Sequence, residues 1–442
     1  MISSGQADAA IVPARGESER YGWVTLLTHP LVLAGIVYFV ANGLRFLLIH
    51  RSEWDEVYIV AAQRLAAGQE MYHASKQNPH VFSYPPFMAL LALPFALLPA
   101  HVERGVWFLI NVAAICFLGV MAWTVSGGPR LIGRRWDGKE YLILLLGVLC
   151  AIRFIQDGLD HQQTDLVIAA LLLGGCAAIL RERFFVAATL IGVAAAMKCT
   201  PLLFFGYFVW RRKWAGAAWL AVVAVGCNLL PDLMSRPPGG GFWVADWFHN
   251  LIRPMGAAGY RPGDWYTSVI FNQSLSGAMY RFCETSWSVV RGDNLVAVDR
   301  AGALGAGMLK MITYAIEGIV LGGAFWAFIR KGGAAVRVGL ECSVVLLLML
   351  LISPVSSKPH FCTVLLPGLI LARLAVEKKN RMLWGIVVGA ILMANVMLPG
   401  FVGKVRGDLG LWLGMITWAT MLLLVGCFVT LGERPPETRA AL

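Results

Sequence analysis

Apolar runs long enough to cross, or nearly cross, a lipid bilayer recur along the whole of this 442-residue sequence. Clear examples lie at 31–49, 106–125, 312–329 and 409–431. The hydrocarbon layer of a bilayer is about 30 Å thick, and roughly 20 helical residues cross it. Charged residues make up 14% of the chain, whereas about a quarter of the residues in a soluble domain are charged. The sequence therefore predicts an all-α polytopic protein in the lipid bilayer, built as one integral membrane domain over 1–442.

Basic residues fall in short clusters between the apolar runs, although the formal net charge is +11. Loops rich in lysine and arginine tend to stay in the cytoplasm. The clusters therefore indicate the cytoplasmic side, and their scatter argues against a nucleic-acid partner. The polar stretch 1–28 has no short apolar core followed by a cleavage site, so we expect it to be a cytoplasmic leader.

About twelve transmembrane helices are predicted, with both termini inside. They are expected at roughly 31–50, 104–126, 140–154, 164–180, 184–198, 201–211, 214–231, 308–330, 337–353, 361–376, 382–399 and 409–431.

Segment 82–100 is short and contains Pro85, Pro86, Pro94 and Pro99. If it spanned the membrane, the basic loop at 130–139 would fall outside. If both of its ends stay outside, that loop returns to the cytoplasm. We therefore expect a re-entrant segment, with a spanning segment as the alternative.

A second choice arises at Lys198, which precedes Thr200 and Pro201 between two apolar stretches that are each too short for an ordinary span. We expect two helices that meet at Lys198. A single long helix is the alternative, and it would move the following loop to the other side of the membrane.

Two outer loops follow from this topology. The loop at 51–100 is expected to hold a helix lying flat at the membrane interface, followed by the re-entrant segment. The loop at 231–307 is long and rich in tryptophan. Its aromatic side chains suit either anchoring at the headgroup level or binding the faces of sugar rings.

Polar side chains near the outer ends of the predicted helices form the candidate site. Such groups are costly at membrane depth, so they are functional candidates by default. They are Asp55, Tyr84, Asp160, Gln162, Gln163, Asp165, Lys198, Asn272, Gln273, Lys358 and His360.

Each candidate also has a plainer interpretation. Asp55 is either a catalytic carboxylate or a solvated helix cap. Lys198 either pairs with an anion or extends its long stem to the interface. Asp165 opens a helix and would also satisfy free backbone donors there, and His360 is equally suited to a place at the interface.

The order of these residues resembles glycosyltransferase family 87, long listed as domain of unknown function 2029. The resemblance runs from about Asp55 to about residue 370. It rests on a series of short motifs, namely Asp55, Tyr84-Pro85-Pro86, Gln163-x-Asp165, Lys198-x-Thr200-Pro201, Asn272-Gln273-Ser274-Leu275, and Ser353-Pro354-Val355-Ser356 followed by His360. Two motifs depart from it. The family commonly has Gly-Gln-x-Asn where this chain reads Gln162-Gln163-Thr164-Asp165, and Ser-Trp-Asp-His-His where this chain reads Ser356-Ser357-Lys358-Pro359-His360, so that Lys358 replaces an acid.

The resemblance implies a GT-C-type fold, an acidic catalytic residue in the first outer loop and a sugar donor carried on polyprenyl phosphate. It also implies an envelope glycosyltransferase of the inner membrane with its active site on the outer, periplasmic face. Mannose is the favoured sugar and arabinofuranose the next, and the acceptor is a hydroxyl of a glycolipid or glycan.

The expected mechanism is a single inverting displacement. Asp55 is the general base, Lys198, His360 and Lys358 hold the donor phosphate, and the remaining polar candidates orient the sugar and acceptor, namely Tyr84, Gln163, Asp165, Asn272 and Gln273. No metal or other cofactor is expected, because neither a metal-binding acidic pair nor paired cysteine spacing is evident.

A polytopic transporter or lipid flippase is the alternative function, in which the same polar groups line a substrate pathway. No internal repeat of the kind found in many transporters is visible in the sequence. The long aromatic outer loop and the proline-broken helices favour the enzyme.

Overall fold

The computed structural model describes residues 30–48, 52–72, 82–131, 136–255, 270–290, 294–300, 304–329, 335–395 and 402–433. Helices dominate these ranges, which confirms the prediction of a polytopic helical protein. The expected leader at 1–28 lies outside the described residues.

The helices are α1 (Pro30–Leu48), α2 (Val60–Ala66), α3 (Pro86–Ala96), α4 (Ala100–Val125), α5 (Gly138–His161), α6 (Asp165–Leu180), α7 (Phe184–Met197), α8 (Leu203–Trp210), α9 (Trp214–Leu229), α10 (Trp243–Trp247), α11 (Arg253–Met255), α12 (Leu275–Glu284), α13 (Ala306–Ile329), α14 (Ala335–Ile352), α15 (Leu365–Glu377), α16 (Arg381–Asn395), α17 (Lys404–Trp412) and α18 (Met415–Gly432). Short π turns lie at Trp54–Ile59 and Phe248–Ile252, and 3₁₀ turns at Thr200–Leu202, Leu230–Leu233 and Lys358–Val364.

Six helical stretches among the described residues are long and apolar enough to cross a membrane. They are Ala100–Val125, Gly138–His161, Trp214–Leu233, Gly307–Ile329, Lys358–Glu377 and Met415–Gly432. Six further apolar helices in the same ranges are shorter, including Asp165–Leu180 and Phe184–Met197. The total of twelve transmembrane helices therefore stays a prediction.

Close contacts between small residues fix the centre of the bundle. A Cβ atom on Gly147 of α5 would lie 2.4 Å from Leu369 Cδ2 of α15, and one on Gly368 would lie 2.9 Å from Cys150 Cβ. Only glycine fits such an approach, and small residues are what allow helix backbones to meet inside membranes. Helix α15, which follows the turn carrying His360, is thereby held against α5 and is almost wholly buried.

The chain reverses at Lys198, as the two-helix prediction requires. Helix α7 ends at Met197, Lys198 is extended with φ −157° and ψ 120°, and a 3₁₀ turn follows. Asn228, near the end of α9, donates to Ala196 O over 3.3 Å. Gly216, near the start of α9, faces Phe184 at the start of α7. Helices α7 and α9 are therefore parallel, α8 runs back between them, and a single long helix does not form.

Helix α3 begins and ends at the same end of the bundle. The N–H of Phe87 donates to Asn228 Oδ1 over 3.2 Å, at the end of α9. At the other end of α3, the ring centroid of Phe95 lies 5.3 Å from that of Trp54 and 5.8 Å from that of Trp107, near the start of α4. This arrangement is compatible with the predicted re-entrant segment.

The helical segment at 54–66 packs its aromatic face onto α4. The indole rings of Trp54 and Trp107 are stacked 3.6 Å apart with an interplanar angle of 8°. Trp54 Nε1 also donates to Glu103 over 2.8 Å. The helix expected in the first outer loop is present, and its position at the membrane interface stays a prediction.

A β-hairpin in the long loop was not predicted. Strands β1 (Thr285–Val290) and β2 (Asn294–Asp299) pair antiparallel, with Trp287 opposite Ala297. The all-α prediction is therefore incomplete. Valine, threonine and tryptophan suit a pleated surface, and this short segment follows a helix too closely for its alternation to stand out in the sequence.

The basic turns lie at the end of the bundle opposite to Lys198. The turns at 181–183, 211–213 and 378–380 follow α6, α8 and α15, whose other ends lie near Asp165, Thr200 and His360. Arg211 pairs there with the buried carboxylate of Glu341. These three basic turns thus lie together at the end of the bundle away from Lys198, and their cytoplasmic location stays a prediction.

Candidate functional site

Three ionisable side chains meet where α6 begins, α7 ends and the 3₁₀ turn Lys358–Val364 starts. Lys198 Nζ lies 2.7 Å from Asp165 Oδ1 and contacts His360 Nε2. His360 Nε2 lies 3.7 Å from Asp165 Oδ2. The extended backbone at Lys198, which ends α7, turns this side chain back toward the start of α6.

This cluster is strongly shielded from solvent. The side chain of Asp165 is 4% exposed and that of Lys198 16% exposed. A charge at such depth needs a partner, because desolvating an ion costs several kcal/mol. Removing one partner of a buried ion pair destabilises a protein by about 3–5 kcal/mol. The Ser357 N–H donates to His360 Nδ1 over 3.2 Å, which fixes the orientation of the imidazole ring.

A small cavity of about 20 Å³ adjoins the cluster and is bordered by Thr200, Ser353 and Ser356. A space of this size holds a single water molecule. It is a gap in the packing beside the cluster, and it is too small for a sugar.

Two tyrosines connect the cluster to the helical segment at 54–66. Lys198 Nζ lies 5.6 Å from the centroid of the Tyr84 ring, within cation–π range. The Tyr84 and Tyr58 ring centroids are 5.0 Å apart, and Tyr58 OH lies 3.4 Å from Thr164 Oγ1. Burial raises the pKa of both phenols, so both remain neutral.

Gln163, two residues before Asp165, contacts Glu53, a carboxylate that the sequence alone does not distinguish from its neighbours. Gln163 Nε2 donates to Glu53 Oε2. Burial raises the pKa of Glu53, while the hydrogen bond from Gln163 and the nearby His161 oppose that rise. The available signal was the pair of carboxylates in Glu53-Trp54-Asp55, of which only Asp55 was selected.

Asp55 points away from Lys198, toward the start of α4. Its Oδ1 lies 3.1 Å from Arg104 Nε, and its Oδ2 accepts from Ser52 Oγ over 2.7 Å. The carboxylate is 19% exposed. Arg104 was missed from the sequence, where a lone arginine at the start of an apolar helix is an ordinary feature. Asp55 and Tyr58 lie one turn apart, so the same short helix carries Asp55 and contacts the Lys198 cluster.

Asn272 and Gln273 are fully buried and hold the loop before His360. Asn272 Nδ2 donates to Pro354 O over 2.9 Å, and its Oδ1 accepts from Ser356 N over 3.0 Å. Gln273 N donates to Ser356 O over 2.7 Å, and its side chain donates to Leu411 O over 2.8 Å. These bonds position the loop that carries Lys358 and His360.

Lys358 lies beside an acidic patch at the end of α5. Its Nζ is 3.4 Å from Asp157 Oδ1 and 5.6 Å from the Phe271 ring centroid. Asp160 on the same helix lies 3.8 Å from Arg45 Nη1. Gln162 ends α5 in the left-handed conformation with φ 55°, and its carbonyl accepts from Trp107 Nε1 over 2.9 Å.

The structure thus brings Tyr84, Asp165, Lys198 and His360 into one connected set, and Gln163, two residues before Asp165, bonds to Glu53 beside it. Asp55, Lys358, Asn272 and Gln273 lie at its edges, each with other partners. Within the described ranges, His, Cys, Asp and Glu side chains form no group of three or more suited to a metal ion. The expectation that no cofactor is needed stays a prediction.

The sequence matches the model of glycosyltransferase family 87 over residues 82–354, which is more than half of the chain. That range contains Tyr84, Gln163, Asp165, Lys198 and Asn272. Asp55 lies before it and His360 after it. No solved structure matches the chain.

Two mycobacterial enzymes are similar over most of the chain. The polyprenol-phosphate-mannose-dependent alpha-(1-2)-phosphatidylinositol pentamannoside mannosyltransferase of Mycolicibacterium smegmatis is 27% identical over 95% of this chain and 92% of its own length. The polyprenol-phosphate-mannose-dependent alpha-(1-2)-phosphatidylinositol mannoside mannosyltransferase of Mycobacterium tuberculosis is 22% identical over 84% of this chain and 82% of its own length.

Proposed function

Because this chain belongs to glycosyltransferase family 87, we propose that it transfers mannose from a polyprenyl-phosphate donor to a hydroxyl of a glycolipid acceptor. Both similar enzymes are named for a polyprenol-phosphate-mannose donor and a phosphatidylinositol mannoside substrate. Their coverage of nearly the whole chain supports the same donor and the same class of acceptor here. Arabinofuranose is the second candidate sugar.

The observation that carries the mechanism is the buried cluster of Lys198, His360 and Asp165. A polyprenyl phosphate lies in the bilayer with its headgroup near the interface. A fixed cation at that depth stabilises the charge that develops on a leaving phosphate. We assign Lys198 and His360 to this phosphate, and Asp165 pairs with Lys198 and orients it before the donor binds.

The reaction is a single displacement at the anomeric carbon. The acceptor oxygen forms a new bond to the anomeric carbon, while the bond between that carbon and the phosphate oxygen of the donor breaks. The leaving electron pair stays on the polyprenyl phosphate, and the acceptor proton passes to a carboxylate. Asp55 is the assigned general base, with inversion at the anomeric carbon as the result.

Arg104 bears directly on the Asp55 assignment. Arg104 Nε holds the Asp55 carboxylate by a contact of 3.1 Å, and acceptor binding must loosen this pair before Asp55 takes the acceptor proton. Glu53 is the second carboxylate of the same turn, and it faces Gln163 instead. The two residues therefore have separable roles, Asp55 toward the acceptor proton and Glu53 toward the position of Gln163.

The other assigned residues bind or position the substrates. Gln163 and Asp165 are placed to orient sugar hydroxyls beside Lys198, and Tyr84 supplies an aromatic face at the same point. Asn272 and Gln273 act through the loop at 353–357, which they hold. Lys358 supplies a second positive charge at the rim, shared with Asp157.

The proposed location is the inner membrane, with the candidate site on the outer, periplasmic face. Opposite placement of the basic turns and the Lys198 cluster supports this orientation. Segment 82–100 is proposed to be re-entrant, which fits the return of α3 to its own starting end. Family membership does not favour the transporter or flippase alternative.

The direct test is transfer by the purified protein in liposomes that contain a phosphatidylinositol mannoside acceptor. We expect consumption of polyprenyl-phosphate mannose and formation of a mannosylated lipid. Both the consumption and the formation should continue in excess chelator. Polyprenyl-phosphate arabinofuranose is the matched control donor. Transfer from the arabinose donor alone would overturn the choice of sugar, and loss of transfer on chelation with recovery on adding Mg²⁺ or Mn²⁺ would overturn the metal-independent mechanism.

A further inference from the structure

A second cleft lies at the opposite end of the helices from the Lys198 cluster. It has a volume of about 540 Å³ and is bordered by two chain turns, at 182–186 and 212–216. This volume is within the range of about 300–1,000 Å³ found for small-molecule sites. None of the residues assigned to glycosyl transfer lines it.

The two turns have the same backbone form. Glu182 and Arg212 both lie in the left-handed region, with φ of 56° and 55°. In each turn the residue that follows donates its N–H to a carbonyl five residues back, Arg183 to Ala178 and Lys213 to Phe208. Because α7 and α9 are parallel neighbours, these turns stand side by side, and their basic residues border one space.

Positive charge dominates the lining of this cleft. It contains Arg183, Arg212 and Lys213 against the single carboxylate of Glu182. Within the part of the chain that the structure describes, none of these three cations has a carboxylate at ion-pair distance. Lys213 Nζ instead lies 4.2 Å from the Phe184 ring centroid, across the junction between the turns.

One wall of the cleft is apolar and lies on the surface of the protein. Phe185 is 61% exposed, Val186 50% and Trp214 62%. In a membrane protein such residues contact acyl chains, and tryptophan beside basic residues marks the headgroup level. The ligand that fits has an anionic head for the three cations and an apolar body for the wall.

We propose that this cleft binds the phosphate headgroup of an anionic phospholipid from the leaflet opposite to the candidate active site. Basic pockets between helices at a membrane surface bind such headgroups. Arg183 and Arg212 pair with the phosphate, and Lys213 adds charge from above Phe184. Phe185 and Trp214 lie along the acyl chains.

The test is a lipid titration of the full-length protein in detergent, followed by native mass spectrometry, with phosphatidylglycerol compared with phosphatidylcholine. We expect tighter binding of phosphatidylglycerol. The double variant Arg212→Gln/Lys213→Gln should lose about thirtyfold in its affinity for phosphatidylglycerol, or about fivefold for each charge. The matched control is Lys378→Gln/Lys379→Gln, at a third basic turn of the same end. In that turn Lys379 has φ 52°, in the same left-handed region as Glu182 and Arg212. It should keep the wild-type affinity within about twofold.

Three results would overturn the proposal. Equal affinity of the wild type for both lipids would remove the role of the headgroup charge. Equal losses in both double variants would mean a diffuse attraction to a basic surface. Displacement of phosphatidylglycerol by millimolar inorganic phosphate would assign the cleft to a soluble anion. If the double variant fails to fold, the exposed single variant Lys213→Gln carries the test, with an expected loss of about fivefold.

Discussion

At the scale of single residues, the carboxylates of Asp55 and Glu53 are the sharpest test of the mechanism. We expect Asp55→Asn to fold and bind donor but to lose transfer by about 10²–10⁴, because an amide does not accept the acceptor proton. Initial rates of sugar transfer at saturating donor measure this. Turnover within threefold of wild type would remove Asp55 from the role of base.

Glu53→Gln is the matched variant, two residues away and equal in its change of charge. We expect a smaller loss than for Asp55→Asn, since the amide still hydrogen-bonds to Gln163. A larger loss than for Asp55→Asn would transfer the role of general base to Glu53, whose raised pKa already suits proton transfer.

Lys198 tests the phosphate site. Lys198→Met keeps the apolar stem and removes the charge, so we expect it to weaken donor use by at least about tenfold, the effect of losing a charged hydrogen bond of about 1.5–3 kcal/mol. Lys198→Arg keeps the charge and should retain more activity. The measurement is kcat/KM for the donor in both variants. Equal kcat/KM values would mean that the Lys198 side chain extends to the membrane interface and does not bind the donor phosphate.

At the scale of elements, the loop at 353–357 links the long outer segment to the candidate site. Asn272→Ala leaves the buried N–H groups of Ser356 and Ser274 without this partner. Each buried group left unpaired costs about 1–3 kcal/mol. We expect a lower melting temperature together with reduced kcat. Asn42→Ala, which removes an exposed bond within α1, is the control and should change neither. A variant of unchanged stability with a raised KM for donor would mean that Asn272 contacts the sugar itself.

The sequence predicted those features of the fold and site that depend on local chemistry. Lys198 between two short apolar stretches predicted the chain reversal, and costly polar groups such as Asp165 and His360 identified the cluster. Features that depend on contacts between residues far apart in the sequence were not predicted. The pairing of Arg104 with Asp55, and the hold of Asn272 on residues more than 80 positions away, exist only after α4 and the long outer segment have packed.

At the scale of the whole molecule, orientation decides whether the candidate site meets a lipid-linked donor in the outer leaflet. Two single-cysteine variants report the two ends of the bundle, Ser288→Cys on the exposed hairpin and Lys378→Cys on a basic turn. Each is made in a background without the nine native cysteines. We expect a membrane-impermeant thiol reagent to label position 288, but not 378, in intact cells. After lysis both should react. The reverse pattern in intact cells would place the site on the cytoplasmic face.

The stacked indoles of Trp54 and Trp107 give this molecule an optical property. Two identical chromophores held 3.6 Å apart couple their excited states, and a twist between their transition dipoles produces paired bands of opposite sign in the ultraviolet circular dichroism spectrum. We expect this couplet in the wild type and its loss in Trp107→Phe, while Trp219→Phe, at an exposed site, should leave it intact. A couplet that survives Trp107→Phe would have another origin. If acceptor entry lifts the first outer loop from α4, the couplet will fade as acceptor is added, so the protein carries its own dye-free reporter of loop docking.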